Sequence, residues 1–164
     1  MPALLERPQE TADALPERFL DATRELEDFQ EETSRLLGTT PTGSSYWLVE
    51  SATGSRPRLC LIGRLPSGIG GAGCGTVDQY QRGDMRLIIE EGPALIEDGV
   101  VTDRELIVEG VVLLPENSNA LALPEGATRV GDLISIGGPI NQFQSQAADL
   151  VAANLDIVKT GGEK

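Results

Sequence analysis

Two cysteines, Cys60 and Cys74, are the only ones in this 164-residue chain, and their placement points to one covalent bond. Cys60 sits inside an apolar β-like run at 58–65, and Cys74 follows a glycine-rich stretch that bends the chain back towards it. We read them as a disulfide, which closes a loop of about 15 residues and stabilises the fold by about 3 kcal/mol in the chain-entropy description. Two reduced thiols in a cytosolic protein are the competing reading, because disulfides persist mainly in oxidising compartments. Redox catalysis has little to stand on, since it uses close C-x-x-C spacing or a cation beside the thiol.

Composition bounds the remaining chemistry. Histidine is absent, which removes the usual general base near neutral pH, every Ser-His or Cys-His pair and the commonest zinc ligand. The acidic clusters Glu90-Glu91, Glu97-Asp98 and Asp103 with Glu105 lack the alternating oxygen spacing of a calcium loop. We therefore expect no catalytic residues, no metal site and no cofactor. Residues 68–73 match G-x-G-x-x-G, yet Cys74-Gly75-Thr76-Val77 is poor material for the helix that a phosphate site needs, so we read a flexible hairpin loop. Arg82-Gly83-Asp84 reads as a turn.

Thirteen basic residues against 26 acidic ones give a net charge of −13. With no run of Lys and Arg, nucleic acid and anionic lipid are poor partners, and another protein or a second copy is the expected one. No stretch is long and apolar enough to cross a membrane, and the first residues lack the pattern of an export signal.

Residues 1–15 hold Pro2 and Pro8 among charges and read as an extended lead-in. Pro16 then opens an amphipathic helix over 16–33, with Leu15, Phe19, Ala22, Leu26, Phe29 and Thr33 as one stripe. Residues 34–39, 45–51 and 58–65 read as a three-stranded antiparallel meander, its first loop at 40–44. Residues 76–80 continue as a short strand, and 85–90, 104–114 and 128–136 are further strands, the second of them central and bent at Gly110. Gly137-Gly138-Pro139 opens a C-terminal helix to Val158, with Ile140, Phe143, Ala147, Leu150, Val151 and Leu155 on one side. Its opposite face is weakly charged and reads as solvent-exposed, and the candidate interaction face is drawn from the apolar stripes of the two helices: Phe19, Leu26, Phe29, Phe143 and Leu150. The expected fold is α+β: one small antiparallel sheet of five to seven strands, an N-terminal amphipathic helix and a C-terminal helix, forming a single domain over 16–158 with a disordered tail at 159–164.

The lead-in Leu5-Glu6-Arg7-Pro8-Gln9-Glu10-Thr11-Ala12-Asp13-Ala14-Leu15-Pro16 resembles the juxtamembrane segment of small actinobacterial single-pass membrane proteins of unknown function. Similar features follow: Ser34-Arg35-Leu36-Leu37-Gly38, the strand Ser45-Tyr46-Trp47-Leu48-Val49, the cysteine in Leu59-Cys60-Leu61-Ile62, Cys74 near glycines, and Gly126-Ala127-Thr128-Arg129-Val130-Gly131-Asp132. The resemblance implies an extracytoplasmic domain with Cys60 and Cys74 bridged, and a transmembrane helix ahead of Met1 that this chain lacks. The two helices depart from that family's pattern. The expected function is a non-enzymatic binding or assembly domain on the outer side of an actinobacterial membrane. The alternative is an intracellular or virion structural protein that oligomerises through its two helices.

Overall fold

In strands that are buried on both faces, every side chain is apolar or small, and three runs of this chain have that character: 46–49, 59–62 and 111–114. A computed structural model, which describes residues 2–16, 29–52, 56–91, 96–97, 100–101 and 106–159, shows the first two inside strands and the third at the end of one, with Leu114 just past its last residue. The first four strands are β1 (Phe29–Thr39), β2 (Ser45–Ser51), β3 (Arg58–Arg64) and β4 (Gly70–Thr76), and a short helix α1 (Val77–Gln81) follows. Next come β5 (Met85–Glu90), the two-residue strands β6 (Ile96–Glu97) and β7 (Val100–Val101), β8 (Ile107–Leu113) and β9 (Ser118–Ala120). The chain closes with β10 (Thr128–Val130), β11 (Leu133–Pro139), helix α2 (Ile140–Ala152) and β12 (Ile157–Lys159).

Two four-stranded antiparallel sheets result, ordered β1-β2-β3-β4 and β10-β11-β8-β5, with the ribbons β12-β9 and β6-β7 beside them. Alternation along each strand decides what faces what. Tyr46, Leu48, Leu59 and Leu61 of the first sheet meet Met85, Ile89, Val111, Leu113 and Leu133 of the second in one buried cluster between the sheets. The alternate residues face outwards. Trp47, Val49, Cys60 and Ile62 form a second cluster, closed by Leu15 of the lead-in and flanked by Phe29, Leu36 and Cys74. On the far side, Val112, Leu114, Ile134 and Ile136 pack with Leu150 of α2.

Glycines set two of the close approaches. A Cβ at Gly110 would lie 2.6 Å from the Ala147 carbonyl oxygen, so the missing side chain lets α2 settle directly on β8. The register runs unbroken through Gly110 on both sides, so this residue puts no bulge into the strand. Gly43, with φ 86°, completes the loop at 40–44, which forms where the sequence placed it.

The antiparallel sheet and the C-terminal helix of the α+β expectation stand, but the strands divide between two sheets instead of one. Of the expected N-terminal helix, residues 17–28 lie outside the described residues, and 29–33 are strand. The two ends of β1 pair with β2, Phe29 opposite Ser51 and Thr39 opposite Ser45, and this ladder overrides the helical spacing. The glycine loop is also corrected: residues 70–76 are a strand paired over their whole length with β3. Residues 77–81 are helical instead of strand, capped by Thr76, whose Oγ1 accepts from the Gln79 N–H while Gln79 Oε1 accepts from the Thr76 N–H. The expected single strand at 128–136 is a hairpin turning at Gly131, φ 57°. The C-terminal helix stops at Ala152, where Arg86 Nη1 donates to the carbonyls of Val151 and Ala153, and 157–159 pair with β9.

Candidate functional site

β3 and β4 bring the two cysteines directly opposite one another, with Cα atoms 4.0 Å apart and the sulfurs bonded. Cys60 has no solvent exposure and Cys74 is half-buried, both within the cluster on the outer face of the first sheet. A bridge so enclosed is part of the packing of that face. It also ties the glycine strand, which has little side-chain area of its own, to the rest of the sheet.

The cluster is covered by the lead-in, which a polar clasp fastens in place. Residues 3–6 and 11–13 form 3-10 turns. Asp13, 2% exposed, receives both guanidinium nitrogens of Arg7 at 2.7 and 2.8 Å, the Glu10 N–H at 2.8 Å and the Leu36 N–H of β1 at 2.8 Å. The Arg7 guanidinium and these amides outweigh burial and hold the Asp13 carboxyl well below the usual carboxylate range. From β1, buried Arg35 donates to the carbonyls of Leu5, Arg7, Glu32 and Ser34. Ser34 Oγ donates to the Asp13 carbonyl at 2.7 Å, and Trp47 Nε1 to that of Ala12 at 3.3 Å. The lead-in takes structure because β1 and β2 supply donors that its own short turns cannot.

A second buried carboxylate lies between the sheets. Glu109 of β8 is 1% exposed, and among the described residues it has no ion pair. Three hydroxyls donate to it: Thr40 Oγ1 at 2.9 Å, Thr42 Oγ1 at 2.7 Å and Tyr46 Oη at 2.6 Å. Burial, with the Glu109 charge beside it, pushes the Tyr46 phenol far above its ordinary pKa, so it remains a donor. Gly137 leaves the space that the carboxylate fills, since a Cβ there would sit 2.8 Å from Glu109 Oε2. The cage fastens the loop at 40–44 to the opposite sheet. Sequence reasoning missed both: Glu109 could have been found as the lone charge among the apolar residues of 106–114, whereas nothing in the sequence marked Asp13.

The candidate interaction residues separate. Phe19 and Leu26 lie outside the described residues. Phe29 is in β1 and packs on the disulfide cluster, so it does not continue a helical stripe. Phe143 and Leu150 are both on α2, where Leu150 is fully buried against the second sheet and Phe143 is partly buried beside it. Arg82-Gly83-Asp84 is a turn, with Gly83 at φ 76°. The glycines of the G-x-G-x-x-G match that fall in β4 point alternately to its two sides, so their N–H groups do not converge on an anion.

A polar cleft of about 340 Å³ lies between the start of the lead-in and the turn before β9, lined by Tyr80, Gln81, Glu116, Asn117 and Lys159 among others. Its carboxylate is already engaged, as Glu116 accepts from the N–H groups of Ala3 and Leu4 at 3.0 and 2.8 Å. Tyr80 Oη accepts from the Glu116 N–H at 2.9 Å, and burial pushes its phenol up to about 12. Among the described residues no group of three or more Cys, Asp and Glu side chains is placed to hold a metal ion, and no helix is long and apolar enough to cross a membrane. Set against protein-family models, curated proteins and solved structures, the chain matches none.

Proposed function

We propose that this chain is a non-enzymatic binding or assembly module that works outside the cytoplasm, as the soluble part of an actinobacterial membrane protein. The observation that carries the reading is the enclosed Cys60–Cys74 bridge. A structural disulfide of this kind belongs to an oxidising compartment, where it is not reduced by the thiol pool. The two buried carboxylates support the same reading. Both have their oxygens turned inwards onto other parts of the chain, fastening segments instead of presenting reactive groups to a substrate.

The competing assembly protein, joined through two helices, has less support, because Leu150 is committed to the core and residues 29–33 are strand. The test is the intact mass of the protein from its native source, alkylated with and without prior reduction. Alkylation only after reduction, on a chain longer by a membrane helix, is the expected result. Two thiols that alkylate freely would overturn it.

A further inference from the structure

A sandwich of two sheets has four edge strands, each with a row of main-chain groups that another strand can pair with. Three are blunted here. β1 is interrupted twice in its register and has its outward groups taken by the lead-in, as in the bond from the Leu36 N–H to Asp13. β10 has three residues. β5 carries Arg86 and Glu90. β4, Gly-Gly-Ala-Gly-Cys-Gly-Thr, has no charge, no proline and no bulge over its seven pairs with β3.

The outward row of β4 can be assigned. The Leu65 N–H donates to the Ile69 carbonyl at 2.8 Å across the β3–β4 turn, so 65 and 69 are a hydrogen-bonded pair. Alternation then makes 60 and 74 a non-hydrogen-bonded pair, in keeping with their Cα separation of 4.0 Å. The N–H and C=O groups of Gly70, Ala72 and Cys74 therefore point away from β3, and no described residue takes them. At Thr76 the row ends, because that N–H is bonded to Gln79.

We propose that this edge pairs with the same edge of a second copy, antiparallel about a two-fold axis through Ala72. This names a partner for the assembly reading above and rests on it only for its biological setting. In that register Ala72 faces Ala72 and Gly70 faces Cys74, so all three outward residues of each copy fall at hydrogen-bonded positions and six main-chain bonds form. Charge permits a second copy at this edge despite the net −13 of each chain. The paired strands are uncharged. The same register sets Gly68 of one copy opposite Thr76 of the other. Arg64, whose Nη2 lies 3.8 Å from the Cβ position of Gly68, is thereby carried to the first turn of α1, which holds Asp78. The two-fold axis makes that cation and acid pair twice.

The test uses the full chain in sedimentation equilibrium and amide hydrogen exchange over a range of concentrations. A reversible dimer is expected. The amides of Gly70, Ala72 and Cys74 should slow as concentration rises, while those of Gly71, Gly73 and Gly75, already bonded to β3, stay slow throughout. Ala72→Pro removes an N–H that β3 does not use, and should raise the dimer dissociation constant about 100-fold with unchanged circular dichroism. Arg64→Asp should weaken the dimer about tenfold, and adding Asp78→Arg should restore it. A monomer at all concentrations up to about 1 mM, or a dimer in which residues 70, 72 and 74 still exchange fast, would overturn the proposal. A monomer whose Cys60–Cys74 bridge is intact would overturn this pairing and leave the compartment reading standing.

Discussion

Asp13 and Glu109 are both buried carboxylates, yet they are satisfied in opposite ways. Asp13 is met by the Arg7 guanidinium and two backbone amides at the margin of the first sheet. Among the described residues Glu109 is met by hydroxyls alone, between the sheets. The difference follows from where each sits. The Arg7 side chain is 36% exposed, so its charge stays partly hydrated while it neutralises Asp13. Between two sheets a guanidinium would itself need desolvation, and compact hydroxyls that also pack are the less costly donors. One arrangement fastens a terminal segment onto a sheet, and the other fastens a hairpin loop across the interior.

This contrast can be broken from either end. Glu109→Ala leaves three buried hydroxyls without their acceptor and a hole between the sheets. It should destabilise the protein the most, by about 4 kcal/mol in urea unfolding, and Glu109→Gln by clearly less. Asp13→Ala strands the Leu36 and Glu10 amides and frees the lead-in, with an expected loss of about 3 kcal/mol. Hydrogen exchange should then show residues 3–15 opening while the sheets stay protected, whereas Glu109→Ala should weaken both sheets together.

Acid sharpens the same distinction. The Asp13 carboxyl is held below its ordinary value in the folded state, so its contribution is present above the unfolded pKa of about 4 and is lost as pH falls further. The unfolded chain binds that proton first as pH falls, so stability declines with acidification. Wild-type protein should lose stability between about pH 4 and pH 2 more steeply than Asp13→Asn, as unfolding midpoints would show. The smallest effect is expected for Tyr46→Phe, about 1 kcal/mol, because Thr40 and Thr42 still serve Glu109.

How much of this was legible in the sequence depended on whether side chains or partners made the decision. β2, β3, β5 and β8 were readable because their residues are β-branched or apolar in runs that suit a buried strand. The cysteine pair was readable from count and spacing. β4 was not, since glycine has no strand preference. It is a strand only because β3 offers its hydrogen bonds and the second sheet presses close, a Cβ at Gly73 lying 3.1 Å from the Arg86 carbonyl oxygen. Residues 29–33 failed in the other direction, where a helical spacing lost to an extended chain paired with β2 at Phe29 and Gln30.

The sequence alone therefore determined the strand-rich centre, the turn at 40–44 and the C-terminal helix start, and it favoured joining Cys60 to Cys74. Those features follow from local propensity and from having two cysteines to join. Only the tertiary structure decided that there are two sheets, that a glycine run completes one of them, and that Asp13 and Glu109 are the polar fasteners. Each depends on which donors and acceptors lie opposite once distant segments meet, and a linear pattern of side chains carries no record of that.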